Sequence, residues 1–374
     1  MTELFITCPE QCEDFLVQEL KHLKVKAVRS SFRGVFAPQT IENVYRINYG
    51  SRLATRVLWP LKHFNCRDKD SLYRAAKEIP WLNYLDETKT FAIDANVSHP
   101  NIRNSLYGAQ VMKDGVCDRI REEKGARPSV DVKNPDVQLN LFIHNNRGII
   151  SLDTSGAPLY KRGWRTLSSA ASIQENLAAA LLIEAGFKSD TILCDPFCGS
   201  GTFLIEAALI ASKTPAGYFR KSWGFLLMSE HEPRLWEEIK KEADSARIPL
   251  QPGKIFGADQ DREAVQICKT HLQNVGFASE IEVTQASIAR YQPRTPPTLV
   301  LTNPPFGKRL ETSKEIYRQL GEFVKRSSPT KVRAWVLAPD EEYARATGLT
   351  ILSSFPFYHG GLSIEAYTLG IPRA

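Results

Sequence analysis

Apolar positions in the first 150 residues of this 374-residue chain follow two periods. Leu4-Phe5-Ile6-Thr7 and Gly34-Val35-Phe36-Ala37 are short apolar runs of strand type. Between them Phe15, Leu16, Leu20 and Leu23 recur at helical spacing, which predicts an amphipathic helix over residues 11–23. Helix patterns return at 70–78 and 109–124, and a strand pattern at 91–97. Residues 130–132, 137–143 and 148–152 also read as strands, the last two joined as a hairpin through Asn145-Asn146-Arg147-Gly148.

After the polar hinge Ser155-Gly156-Ala157-Pro158, strand and helix patterns alternate. Helices are predicted at 173–185, 202–211 and 262–275, with a long insertion after the second and a further helix before residue 332. Strands are predicted at 191–194, 254–258, 280–284, 298–302 and 332–338. Two more lie near 349–353 and 363–369, joined through His359-Gly360-Gly361. This alternation predicts a doubly wound, mostly parallel sheet with one antiparallel strand from the final hairpin.

Composition adds limits. With 43% hydrophobic and 24% charged residues the chain is of ordinary globular type, long enough for two or three cores. No apolar run reaches membrane-spanning length, and the Met1-Thr2-Glu3 start is not that of a signal peptide. Seven cysteines without a C-x-x-C pair argue against a disulfide framework and a zinc site, so no metal and a reducing cytoplasm are expected. Residues 1–165 hold 25 Lys+Arg against 19 Asp+Glu, whereas residues 166–374 hold 23 of each. The surplus makes the first part the candidate for a polyanion contact, although an ordinary solvated surface explains the same count.

Chemistry concentrates where predicted strands end. Asp195-Pro196-Phe197-Cys198-Gly199-Ser200-Gly201-Thr202 is a glycine-rich turn from strand into helix, a place where backbone can approach a ligand. It lacks the third glycine of a dinucleotide fingerprint, and Asp195 can accept from a cationic amine. Asp259, followed by Gln260, ends the next strand. It can hold a ribose diol or serve as a plain helix N-cap. A cationic amino acid, a ribose and no pyrophosphate describe S-adenosyl-L-methionine better than NAD.

Asn303-Pro304-Pro305-Phe306 ends the 298–302 strand. An exocyclic aromatic amine is a poor nucleophile because its lone pair is conjugated into the ring. The Asn303 side-chain oxygen and the Pro304 carbonyl can accept its N–H groups, Pro305 stiffens the backbone, and Phe306 can stack on a base taken out of its helix. A Pro-Pro turn capping a buried strand is the structural alternative. Lys161, Arg162 and Arg165 around Trp164 suit RNA backbone contact with stacking, or a linker whose Trp164 docks on the catalytic domain.

The 195–202 loop with Asn303 to Phe306 resembles amino-group methyltransferases. With Leu159 to Arg165, Ser172 to Ala178, Thr214 to Arg220 and Trp236 to Ile239, the chain resembles guanine-N2 RNA methyltransferases that carry a ferredoxin-like and THUMP module. The resemblance spans nearly the whole chain, least specifically over 1–60. It implies a Rossmann-like class I methyltransferase with a seven-stranded, mostly parallel sheet, preceded by an α+β ferredoxin-like/THUMP module. The implied division is 1–60 ferredoxin-like, 61–155 THUMP, 156–170 basic linker and 171–374 catalytic. The implied cofactor is S-adenosyl-L-methionine, held by Asp195, Pro196, Phe197, Gly199, Gly201, Thr202, Asp259, Gln260 and Asn303. The implied partner is structured RNA, rRNA or tRNA, acted on by a monomer. One departure stands out: Gln285-Ala286-Ser287 carries Ser287 where the family has an acid near the adenine amine. Adenine-N6 and protein-glutamine methylation share the N-P-P signature, but the amino-terminal module disfavours both. A vestigial RNA-binding module would have lost Asn303 or the glycines, which are present.

Overall fold

The computed structural model describes residues 2–167, 172–305, 314–327, 332–359 and 362–371. The chain forms two compact units, one of residues 1–8, 16–159 and 220–241, the other of residues 9–15, 160–219 and 242–374.

Up to residue 153 the elements are β1 (Glu3–Thr7), α1 (Glu13–His22), β2 (Arg29–Ser31), β3 (Gly34–Pro38), α2 (Ile41–Gly50), β4 (Arg56–Asn65), α3 (Lys69–Lys77), β5 (Thr90–Ser98), α4 (Ser105–Lys124), β6 (Ser129–Val130), β7 (Val137–His144) and β8 (Arg147–Asp153). The strands form one sheet in the order β2-β3-β1-β4-β8-β7-β5-β6. β4 makes it continuous, pairing antiparallel with β1 on one side and β8 on the other. The β7–β8 hairpin turns at Asn145 in the left-handed region, φ 53°, where asparagine is tolerated.

Two of these elements escape the apolar pattern. β4 carries Pro60 mid-strand, which argues against a strand in sequence. In the structure the register shifts between Pro60 and Lys62, and this irregularity accommodates the missing N–H. α2 buries Val44, Tyr45, Ile47, Asn48 and Tyr49, a mixed stripe in which Asn48 Nδ2 donates to Thr154 Oγ1 at 2.9 Å.

The second unit contains α5 (Glu175–Glu184), β9 (Leu193–Asp195), α6 (Thr202–Ala211), the end of α7 (Pro233–Ser245), β10 (Ile255–Asp259), α8 (Arg262–Val275), β11 (Glu282–Gln285), β12 (Leu299–Thr302), α9 (Lys314–Ser327), β13 (Arg333–Ala338), α10 (Glu341–Ala346), β14 (Thr350–His359) and β15 (Leu362–Gly370). The expected seven-stranded sheet is present, in the order β11-β10-β9-β12-β13-β15-β14. Its first five strands are parallel to their neighbours, and β15 runs antiparallel to β13 and β14. Alternation along β12 sends Leu299 and Leu301 to a core with Leu177, Phe203 and Leu272. Val300 joins Phe256, Tyr317 and Phe323 on the other face. Both faces of the sheet are therefore covered, as a parallel sheet requires. All seven cysteines are buried, and no described helix is long and apolar enough to cross a membrane.

Candidate active site

β9 lies between β10 and β12, and strand order reverses there. The carboxyl ends of those three strands thus meet at the switch point, where open α/β sheets bind ligands. Asp195 ends β9, Asp259 ends β10, and Asn303 follows β12.

The Asp195 carboxylate is 1% exposed. Its Oδ1 accepts from Thr302 Oγ1 at 2.6 Å and from the Phe197 amide at 3.1 Å, tying the ends of β9 and β12 together. Burial pushes the Asp195 carboxyl up to about 7, and the nearby Asp259 charge pushes the same way. Asp259 Oδ2 accepts from the Gly199 amide and Oδ1 from the Asp261 amide, both at 2.9 Å, and burial raises its carboxyl as well. The named donors to both carboxylates are neutral, so the pair is suited to a cationic ligand. Asp259 is not the helix N-cap. That role belongs to Asp261, whose side chain accepts from the Glu263 amide.

Two glycines shape the loop for different reasons. Gly201, φ 87°, precedes α6, and a Cβ there would stand 2.5 Å from Cys268 Sγ. Gly199, φ 52°, has open space at its Cβ position, so backbone conformation and close approach are what call for glycine. Pro196 and Thr202 are buried, and Phe197 is half-buried.

Asn303 is half-buried, and its Oδ1 is buried without a hydrogen-bond partner among the described residues. An acceptor left so costs about 1–3 kcal/mol, and the N–H of a bound ligand would satisfy it. Pro304 beside it is buried and Pro305 half-buried, while Phe306 lies outside the described residues. On the other side of β10, the Ala286 amide donates to the Asp259 carbonyl at 2.9 Å, which ties the segment leading into Ser287 to the end of β10. The Ser287 carbonyl accepts from the Arg290 and Tyr291 amides, so it opens a turn.

The basic-aromatic cluster corrects an expectation. Arg162 and Trp164 are each 1% exposed, so neither side chain is presented to RNA. Arg162 forks onto Glu206 with Nε–Oε1 3.2 Å and Nη2–Oε2 3.4 Å. Trp164 meets the His271 ring edge-on at 5.3 Å. Arg165 donates to Glu175 Oε1 (2.9 Å), Ser172 Oγ (3.0 Å), Ser200 Oγ (2.9 Å) and Thr202 Oγ1 (2.8 Å). Lys161 alone of the four is exposed. The cluster braces the glycine-rich loop from behind. Burial favours this use of the cations because α5 and α6 place two carboxylates in the interior, and a buried carboxylate needs a partner.

Sequence reasoning missed Thr302, Glu175, Glu206 and His271 as members of this arrangement. Glu206 left a signal, since it is the one charged residue in the apolar helix Thr202–Ala211. His271 is fully buried. The Leu167 amide donates to its Nε2 at 3.3 Å, so Nδ1 carries the proton given to the Ser200 carbonyl at 3.1 Å. Burial lowers its pKa, which keeps the ring neutral. Among the described residues no group of three or more His, Cys, Asp or Glu could hold a metal ion.

Comparison with known proteins agrees with this architecture. Residues 3–58 match the RlmL ferredoxin-like domain and residues 66–153 the THUMP domain. Residues 162–350 match the family described as RMKL-like, methyltransferase domain. Ribosomal RNA large subunit methyltransferase K/L of Pseudomonas paraeruginosa is 34% identical over 385 residues, covering 99% of this chain and 53% of that protein. Its counterpart in Methylococcus capsulatus is also 34% identical, covering 99% and 51%. The chain thus spans about half the length of the curated relatives it matches. Among solved structures, SMU.472 in complex with SAH superposes with a TM-score of 0.85 at 23% identity, over 100% of this chain and 99% of that one. TrmN from Thermus thermophilus superposes at 0.72 and 20% identity over all of both chains. These two likenesses bear on the fold alone. The RMKL-like methyltransferase domain is S-adenosylmethionine-dependent. Because that domain model matches half of this chain, the chain belongs to the RMKL-like methyltransferase family.

Proposed function

We propose that this protein methylates the exocyclic N2 amine of a guanosine in structured RNA, 23S rRNA before the tRNA acceptor stem. In this reading residues 1–60 and 61–155 grip the RNA as ferredoxin-like and THUMP modules. Residues 156–170 link them to the catalytic part, 171–374.

The observation that carries the reading is the Asn303 Oδ1 at the carboxyl end of β12, buried and unpartnered among the described residues. An acceptor there takes an N–H of the target amine, which draws its lone pair out of conjugation and directs it at an electrophile. The Pro304 carbonyl would take the second N–H. Held in place by Pro304 and Pro305, these acceptors do their work by positioning.

Asp195, Asp259 and the loop from Pro196 to Thr202 fit S-adenosylmethionine, with Gln260 and Ser287 toward its adenine end. When bound, that cofactor supplies a methyl group on a positively charged sulfur. The Asp195 and Asp259 carboxylates favour a cationic amino acid and a ribose diol, and open space at Gly199 leaves room for close approach. Asn274 and His271 hold the 164–167 and 200 backbones behind the loop.

The test is to incubate the purified protein with methyl-labelled S-adenosylmethionine and, separately, 23S rRNA and tRNA transcripts, then identify nucleosides by mass spectrometry. N2-methylguanosine is expected. N6-methyladenosine, or label in DNA only, would overturn the reading. Asn303→Ala should lose about 100-fold or more in kcat, the usual scale for one polar group in a preorganised site. The variant should keep or raise the wild-type Tm, because among the described residues Oδ1 has no hydrogen-bond partner to lose.

A further inference from the structure

With Arg162 and Trp164 buried, the positive surplus of the first 165 residues must act elsewhere if it acts at all. It is concentrated in one stretch. Residues 21–33, KHLKVKAVRSSFR, hold five Lys and Arg and no acid, whereas the rest of residues 1–165 hold 20 Lys+Arg against 19 Asp+Glu. Nearly the whole surplus thus comes from thirteen residues.

Those residues build a groove. Lys21, Lys24 and Lys26 line a shallow depression of about 610 Å³ whose remaining lining is Val25, Ala27 and Val28. The three lysines are exposed, and Val25 is buried beneath them. Beyond the groove, β2 and β3 form a hairpin that pairs Ser31 with Gly34, so Phe32 and Arg33 are its tip. Phe32 is 77% exposed there, the position of a ring offered outward. Arg29 stands over the Phe36 ring at 4.3 Å and pairs with Glu3 at 2.9 Å.

The backbone is unusual in the same place. Six described non-glycine residues have positive φ, and three of them are Lys24 (66°), Ala27 (53°) and Arg33 (54°). Each costs about 1 kcal/mol or more that glycine would avoid, and such strain gathers at binding sites. Lys24 stands just past the end of α1, where glycine is the usual residue.

We infer that the groove of Lys21, Lys24 and Lys26, with Phe32 at the neighbouring hairpin tip, binds the phosphodiester backbone and an unpaired base of RNA. The lysines suit successive phosphates, the apolar floor suits ribose, and an exposed phenyl ring stacks on any base. The inference deepens the proposed RNA reading and rests on it for the class of partner only.

The experiment is filter binding of the full chain to 23S rRNA and tRNA transcripts across a salt series. The triple variant Lys21→Gln/Lys24→Gln/Lys26→Gln should bind about tenfold or more weakly. Its log–log salt dependence should be shallower by roughly two to three units, because each lost phosphate contact removes about 0.7 to 0.9 of slope. Phe32→Ala should weaken binding about fivefold or more with the slope unchanged, since stacking releases no counterion. Lys24→Gly should keep or raise Tm while weakening binding, an opposition that no folding defect produces. Wild-type affinity and slope in the triple variant would overturn the inference and leave the lysines as guards of an edge strand. Absence of RNA binding by the unaltered chain would also overturn it, as would groove-dependent binding to phosphatidylglycerol vesicles but not RNA. Groove-dependent RNA binding without N2-methylguanosine would sustain the groove and sink the proposed reaction, and the converse result would do the reverse.

Discussion

Asp195 is the residue on which cofactor affinity and fold stability pull in opposite directions. Its carboxyl is raised to about 7 by burial, with neutral donors among the described residues, Thr302 and the Phe197 amide, to offset that in part. A cationic ligand binds the carboxylate form, so affinity for S-adenosylmethionine should fall about tenfold per pH unit below about 7. Calorimetric titration from weakly acidic to weakly basic buffer checks this, and a flat profile across neutrality would count against Asp195 as a cofactor contact. For the unliganded protein the sign is opposite. A raised folded-state pKa means that the native state holds more protons than the unfolded chain between the ordinary carboxylate range and about 7. The stability this contributes is present in acid and lost as pH rises through 7. Asp195→Asn, which cannot ionise, should therefore raise the unliganded Tm at pH 8 by about 3 °C or more, bring little gain at pH 4, and abolish cofactor binding.

Among elements, the segment before α5 shows how a residue string can mislead. Lys161-Arg162-Gly163-Trp164-Arg165 has the composition of an RNA contact, and nothing local shows that its acidic partners lie 10 and 44 residues onward, at Glu175 and Glu206. Elements with a clean period were legible. α6 and α8 fall on the residues predicted, and Asp195, Gly199 and Asp259 come together because strand-helix alternation dictates where strand ends meet. α2 and β4 were not legible, since a polar Asn48 and a mid-strand Pro60 are rescued only by tertiary partners. The structural reading of Arg162 makes a prediction that an RNA contact would not. Arg162→Met should cost about 3–5 kcal/mol in urea unfolding by stranding a buried Glu206 charge, with no change in the salt dependence of RNA binding. Arg162→Met with Glu206→Leu should recover much of that loss, because the uncompensated charge is gone. Loss of salt dependence in the single variant would restore the cluster to the RNA interface.

At the scale of the molecule, neither compact unit is continuous in sequence, and the insertion after α6 is the reason for the longest return. Residues 220–241 leave the catalytic sequence and complete the core of the first unit. Tyr45 packs against Phe225 at 4.9 Å and Trp236 at 5.5 Å, Tyr49 meets Trp236 edge-on at 5.5 Å, and Trp223 stacks on Phe225. The Glu232 amide donates to the Tyr45 hydroxyl oxygen at 2.7 Å, and the same hydroxyl shares a hydrogen bond with His231 Nδ1, also at 2.7 Å. Arg220 donates to the carbonyls of Ser155, Ala157 and Pro158 and holds the start of the excursion. No window of sequence contains this cluster, because its partners stand nearly two hundred residues apart. The sheet of the first unit therefore draws stability from residues encoded inside the methyltransferase half. Trp236→Ala, which opens a cavity among four rings, should destabilise the first unit by about 3–5 kcal/mol. Hydrogen exchange of the full chain reads this directly: amides of α2 and β4 should lose protection in the variant. Unchanged protection there would mean that the first unit closes its core without the insertion.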